Sequence, residues 1–154
     1  MSTPVILIID DDAVLRLEKL KQMLPRISDV RYINYFTEES LLEPDKLAPD
    51  LNLDEIAKIR PRLIFLDLAL HQQQSREYHW GIDQLKKLRA HSGLQNVPVI
   101  IISTFANTPG AVKQLEKLGV KPDHRYDWQD LWKGVAAKDL QEIVKKELDK
   151  ISKE

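Results

Sequence analysis

The chain has 154 residues, 43% of them hydrophobic, with 23 basic and 24 acidic side chains giving a formal net charge of -1. That length and composition suit a single globular domain with a sizeable core, and the balanced charge supplies no positive field to gather nucleic acid or an anionic membrane. The absence of cysteine excludes disulfides and thiolate chemistry, no apolar run reaches the roughly 20 residues of a membrane span, and the start MSTPVILIIDDD lacks the basic flank and cleavage site of a signal peptide, so a cytoplasmic protein is expected.

The first element is VILII, residues 5–9, apolar without alternation as in a strand buried on both faces. It runs straight into Asp10, Asp11 and Asp12. Neighbouring carboxylates repel one another and resist burial, so a fold that sets them at its core edge usually has a cation or a phosphoryl group to place there. Leu17, Leu20 and Leu24 follow at helical spacing, and VRYINYF, residues 30–36, reads as a second strand. Residues 43–62, EPDKLAPDLNLDEIAKIRPR, hold several prolines and a short helical patch around Ile56 and Ile59, and are expected to be an insertion.

LIFL, residues 63–66, is a third buried strand ending in a single acid, Asp67, and residues 71–80, HQQQSREYHW, read as a second, polar insertion. Ile82, Leu85 and Leu88 then mark a helix, VPVIII (97–102) a fourth strand ending in Ser103 and Thr104, and Val112, Leu115 and Leu118 another helix. The final helix, KDLQEIVKKELDKI, carries Leu140, Ile143, Val144, Leu148 and Ile151 on one side behind a capping Asp139. Strands alternating with amphipathic helices predict a parallel sheet covered on both faces.

In such sheets ligands sit beyond the carboxyl ends of the strands, where the winding direction reverses. Asp10 to Asp12, Asp67 and Ser103 all fall at such ends. An aspartate after a strand is most often a turn residue or a helix cap, and Asp11 or Asp12 alone would fit that description. The recurrence of polar groups at three strand ends argues for more. His71 and His79 have no metal-ligand spacing, and Trp80, Trp128 and Trp132 read as packing residues.

An acidic pair after the first strand, a lone acid after a central one and a hydroxyl after the fourth resemble the receiver domain of two-component response regulators. VILIIDDDAVLR is similar to the family's first strand and acidic pair, LIFLDLAL to its phosphoacceptor strand, Gly81 to the glycine opening its third helix, and VPVIIIST to its fourth strand. The resemblance implies an α/β, doubly wound, flavodoxin-like fold of five parallel strands in the order 2-1-3-4-5, as one domain over 1–154. It implies a phosphorylation-dependent signalling switch rather than an enzyme. Asp67 would take a phosphoryl group from a histidine kinase, a phosphotransfer protein or a small phosphodonor. Mg²⁺ would be held by Asp10, Asp11, Asp67 and the backbone carbonyl of Ala69, and Ser103 would grip a phosphoryl oxygen.

The family also places a lysine after its fifth strand. Counting from Gly119 lands on Tyr126, and counting back from Leu140 lands on Lys133; an insertion within 120–128 reconciles the two and favours Lys133. Thr104 stands where the family usually has alanine or glycine. The expected partners are the phosphodonor and an unidentified downstream protein, with a second copy of the chain as a further candidate and no direct contact with nucleic acid or membrane. No DNA-binding or enzymatic output segment is expected after the last helix. Two other functions fit parts of the pattern. A pseudo-receiver would keep the fold as an interaction module without phosphorylation. A haloacid-dehalogenase-like phosphatase would use Asp10 as nucleophile and leave Asp67 unexplained.

Overall fold

The computed structural model describes residues 4–10, 18–22, 24, 31–34, 51–68, 78–134 and 136–152. Five strands form one sheet: β1 (Val5–Ile9), β2 (Arg31–Asn34), β3 (Leu63–Leu66), β4 (Val99–Ile102) and β5 (Arg125–Tyr126), in the order β2-β1-β3-β4-β5. Every pairing is parallel, with Ile8 opposite Asn34, Ile9 opposite Leu66, Leu66 opposite Ile101 and Ile102 opposite Tyr126. This is the doubly wound order that the resemblance implied.

Strand side chains alternate between two cores. Leu7, Ile9, Ile64, Leu66, Val99 and Ile101 face one side, where they meet Ile56 of α2 (Leu53–Ile59), Ile82, Leu85 and Leu88 of α3 (His79–Ala90) and Leu115 of α4 (Pro109–Lys117). Ile6, Ile8, Leu63, Phe65, Ile100 and Ile102 face the other, against Leu20 of the helical residues 18–22 (α1), Leu131 of α5 (Trp128–Trp132) and Leu140, Ile143 and Val144 of α6 (Ala137–Ser152). Unbroken apolar runs are therefore what these strands require. Each fully buried Leu or Ile contributes about 1.5–3 kcal/mol.

The boundaries differ from expectation in instructive places. The stretch expected as an insertion at 43–62 contains α2, the crossover helix between β2 and β3. Asn52 caps it, its side chain accepting from Glu55 N at 3.2 Å, and Arg60 stops it in the left-handed region at φ 56°. Val97 and Pro98 precede β4 instead of opening it, although Pro98 O still accepts from Ile64 N at 3.0 Å. Asp139 lies in the first turn of α6, two residues inside its start at Ala137. Residues 71–77 lie outside the described residues, and Tyr78 and His79 begin α3. Among the described residues no helix is long and apolar enough to cross a membrane.

One buried amide anchors the entry to α2. Gln84, on α3 and 1% exposed, accepts a hydrogen bond from Leu51 N at 2.9 Å through its Oε1. Gln84→Leu keeps the shape but strands that N–H away from water. It is expected to cost about 1–3 kcal/mol, read as a lowered midpoint of urea unfolding.

Candidate functional site at the strand ends

Hydrogen bonding between β1 and β3 continues one step past their last pair: Asp67 N donates to Ile9 O at 2.9 Å. Asp10 and Asp67 thus leave neighbouring strands at the same level, their backbones about 5 Å apart as adjacent strands dictate. Both are buried, at 3% and 7% exposure. Two carboxylates so placed repel each other unless a cation, a proton or donors stand between them.

Ser103 continues β4 at the same edge. Its N donates to Tyr126 O at 3.0 Å, its Oγ accepts from Phe105 N at 3.2 Å, and the residue is fully buried. A hydroxyl that accepts from its own turn still has a proton to give, so this group is held in place as a donor. Thr104, beside it, is exposed.

The backbone after Asp67 is pinned by Gly81. Gly81 N donates to Leu68 O at 2.8 Å, and a Cβ on Gly81 would overlap Leu68 Cα and crowd its carbonyl. Glycine here is a matter of close approach between α3 and the turn that carries the acid. In the sequence Gly81 is visible only as a helix opener; the contact with Leu68 arises from packing.

At the fifth strand the arrangement departs from the expected one. β5 ends at Tyr126, so the count from Gly119 marks the strand end, and the next residue is Asp127. Asp127 is turned to its own helix, its carboxylate accepting from Gln129 N at 2.8 Å as the cap of α5. Helix α5 follows β5 directly, and the insertion expected within 120–128 spans the end of β5 and the start of that helix. Lys133 is consequently the residue that closes α5, with an exposed side chain, a whole helix beyond the strand end. Asp127 was not among the expected site residues, and the signal for it was the first of the two counts.

Asp11, Asp12 and the carbonyl of Ala69 lie outside the described residues. Among the described residues no three His, Cys, Asp or Glu side chains gather into a metal cluster; of the expected ligands, Asp10 and Asp67 lie within the described residues, side by side at the ends of β1 and β3. The pair itself suits a hard divalent cation. Mg²⁺ takes oxygen ligands, commonly one or two carboxylates, and keeps several waters.

No protein-family model matches the sequence, and no curated protein does. Solved structures do. A signal receiver domain of a two-component histidine kinase from Clostridium thermocellum matches with a TM-score of 0.62 at 22% identity, over 94% of this chain and 97% of that one. The receiver domain of Francisella response regulator 1452 matches with 0.58 at 21%, over 96% and 98%. The Mn²⁺-bound form of response regulator Rcp1 matches with 0.53 at 20%, over 86% and 88%. At these identities the likeness is one of fold: the chain has the fold of response-regulator receiver domains.

The Gly81 contact can be tested directly. Gly81→Ala gains helix propensity but drives a methyl into backbone atoms, and overpacking of that kind costs about 1–3 kcal/mol. The variant is expected to unfold at lower denaturant; equal stability would show that α3 does not sit this close to the turn.

Proposed function

We propose that the chain is a phosphorylation-dependent signalling switch with Asp67 as its phosphoacceptor. The observation that carries the reading is the meeting of two buried carboxylates, Asp67 and Asp10, on adjoining strands, with the buried hydroxyl of Ser103 at the end of β4. In this reading a carboxylate oxygen of Asp67 bonds to phosphorus as the bond from phosphorus to the donor breaks, a histidine nitrogen of a kinase or phosphotransfer protein or the oxygen of a small acyl phosphate, and the departing group takes up a proton. Mg²⁺ supplies neutralisation of charge as anion meets anion. Asp10, Asp11 and Asp67 would hold it, with the Ala69 carbonyl, and Ser103 would donate to a phosphoryl oxygen. The response regulator Rcp1, of the same fold, has a Mn²⁺-bound form, which supports a divalent metal as this chain's partner. The reading is of a regulator that modifies itself and passes the signal to another protein in the cytoplasm, with no substrate turned over.

Asp127 favours a second reading. The family's lysine after the fifth strand pairs with the phosphoryl group, and here an acid occupied in capping α5 follows β5. A pseudo-receiver that keeps the fold as an interaction module would tolerate that exchange. Lys133, exposed at the end of α5, is the residue proposed to take the lysine's part in an active switch. The phosphatase reading is weaker, because β3 and its Asp67 stand between β1 and β4, separating Asp10 from Ser103.

Incubation with acetyl phosphate and Mg²⁺ is expected to add one phosphoryl group by mass, labile to hydroxylamine, and Asp67→Asn is expected to abolish it. Labelling that persists in Asp67→Asn and disappears in Asp10→Asn would move the nucleophile to Asp10. No labelling by any donor, with no binding of beryllofluoride, would favour the pseudo-receiver. Should labelling occur, Lys133→Ala is expected to blunt the conformational response more than phosphate uptake.

Metal affinity gives an independent measure. Asp10→Asn, which removes one of the carboxylate charges proposed to hold Mg²⁺, is expected to weaken its binding on the order of tenfold or more, followed by tryptophan fluorescence.

A further inference from the structure

α3 and α4 pack on the same face of the sheet and leave a groove between them of about 420 Å³. That is within the range of small-molecule sites. Lys86 of α3 and Lys113 and Lys117 of α4 line it together with Tyr78, Gly110 and Leu118, and among the described residues no carboxylate does. The three lysines are exposed, and none forms an ion pair with a described acid. Asp83 and Glu116, acids of the same two helices, lie outside the lining. The balance of the groove is positive.

Surface lysines alone make no site. Tyr78, at the start of α3, is only 9% exposed, and its hydroxyl has no hydrogen-bond partner among the described residues. The oxygen lies over Gly110, where a Cβ would collide with it, and unlike the hydroxyl of Tyr126 it is not closed off from solvent. Native folds rarely leave the polar group of so buried a residue unsatisfied. Beside it α4 opens without a side-chain cap: Thr108 makes no such bond, Pro109 has no N–H to give, and the Gly110 amide finds no acceptor among the described residues. No acidic residue stands in that first turn. A hydroxyl, an uncapped helix start and three ammonium groups thus border one groove.

We propose that this groove binds a diphosphate, one phosphoryl group held by the Tyr78 hydroxyl, the Gly110 amide and Lys113, and the other held between Lys86 and Lys117. Phosphoryl oxygens accept and do not donate, which matches a hydroxyl, an amide and ammonium groups, and the start of a helix favours an anion. Lys113 and Lys117 stand about 6 Å apart along α4, a spread that suits two linked phosphoryl groups better than one. Leu118, partly buried, and the ring of Tyr78 leave an apolar margin for the rest of an ester. Inorganic diphosphate and its organic esters carry the same chemistry, and the experiment separates the two sources.

Pyrophosphate and ADP are titrated separately into the full chain by calorimetry, at constant ionic strength and in EDTA, so that no metal at Asp10 and Asp67 contributes. Saturable one-site binding is expected. Tighter binding of ADP would mark an ester as the ligand, and equal or tighter binding of pyrophosphate the inorganic anion. The double variant Lys86→Gln, Lys113→Gln should weaken binding roughly tenfold, since exposed charges contribute modestly one by one. Tyr78→Phe, which keeps the buried ring and removes the unpartnered hydroxyl, should also weaken it roughly tenfold. The pair Lys145→Gln, Lys146→Gln, exposed on α6, should leave it unchanged. Absence of saturable binding, undiminished affinity in Tyr78→Phe, or equal weakening by the α6 pair would overturn the proposal. Binding of a polyglutamate peptide in place of both anions would overturn it too, and would give the groove to an acidic protein partner.

Discussion

A parallel sheet with both faces buried leaves few places for polar chemistry. In the interior of β1, β3 and β4 each main-chain donor and acceptor is committed to a neighbouring strand, and each side chain must be apolar to pack against one helical layer or the other. Only where the ladder stops can a charged side chain be held rigidly and still have access to a ligand. Asp10, Asp67 and Ser103 occupy those positions, and the hydrogen bond from Asp67 N to Ile9 O sets two of them level. The depth of the acids and their closeness have one origin, the register of β1 against β3.

The β5 flank of the same edge is built differently. Where β1 and β3 deliver acids to a shared edge, β5 delivers Asp127 into the cap of a five-residue helix. Capping satisfies an N–H at the start of α5 and fixes the direction in which the chain leaves the sheet. It also means that whatever balances the charge at Asp67 does not come from the residue that follows the fifth strand. The helix then lays Trp128 and Leu131 into the core beneath α6, while Trp132 remains half exposed under the ammonium of Lys19, 4.8 Å from its ring.

Much of this could be read from the sequence because burial on both faces demands long apolar runs. VILII, LIFL and VPVIII announce their strands, and the acids that end them are conspicuous against such runs. β5 was not legible, because two residues, Arg125 and Tyr126, carry no periodicity, and its existence depends on β4 offering a ladder. Placement of the lysine stayed divided between two positions for that reason: without the strand, two counts competed. α2 was half legible, its Ile56 and Ile59 visible but its prolines and charges suggesting a detour, and tertiary packing against α3 decided the matter. Gly81 shows the remaining limit, since a close approach between a helix and a distant turn has no local signature.

The brevity of β5 bears on how copies of this chain could meet. A sheet edge recruits a neighbouring strand through a row of free main-chain groups, and long flat edges are the ones that seed swapping and aggregation. A rim of two residues, bent away immediately into α5, presents too short a row to template such pairing. Self-association on that flank would have to proceed through side chains of α4, α5 or α6, which makes it adjustable by single substitutions and by salt in a way that shared β-structure is not.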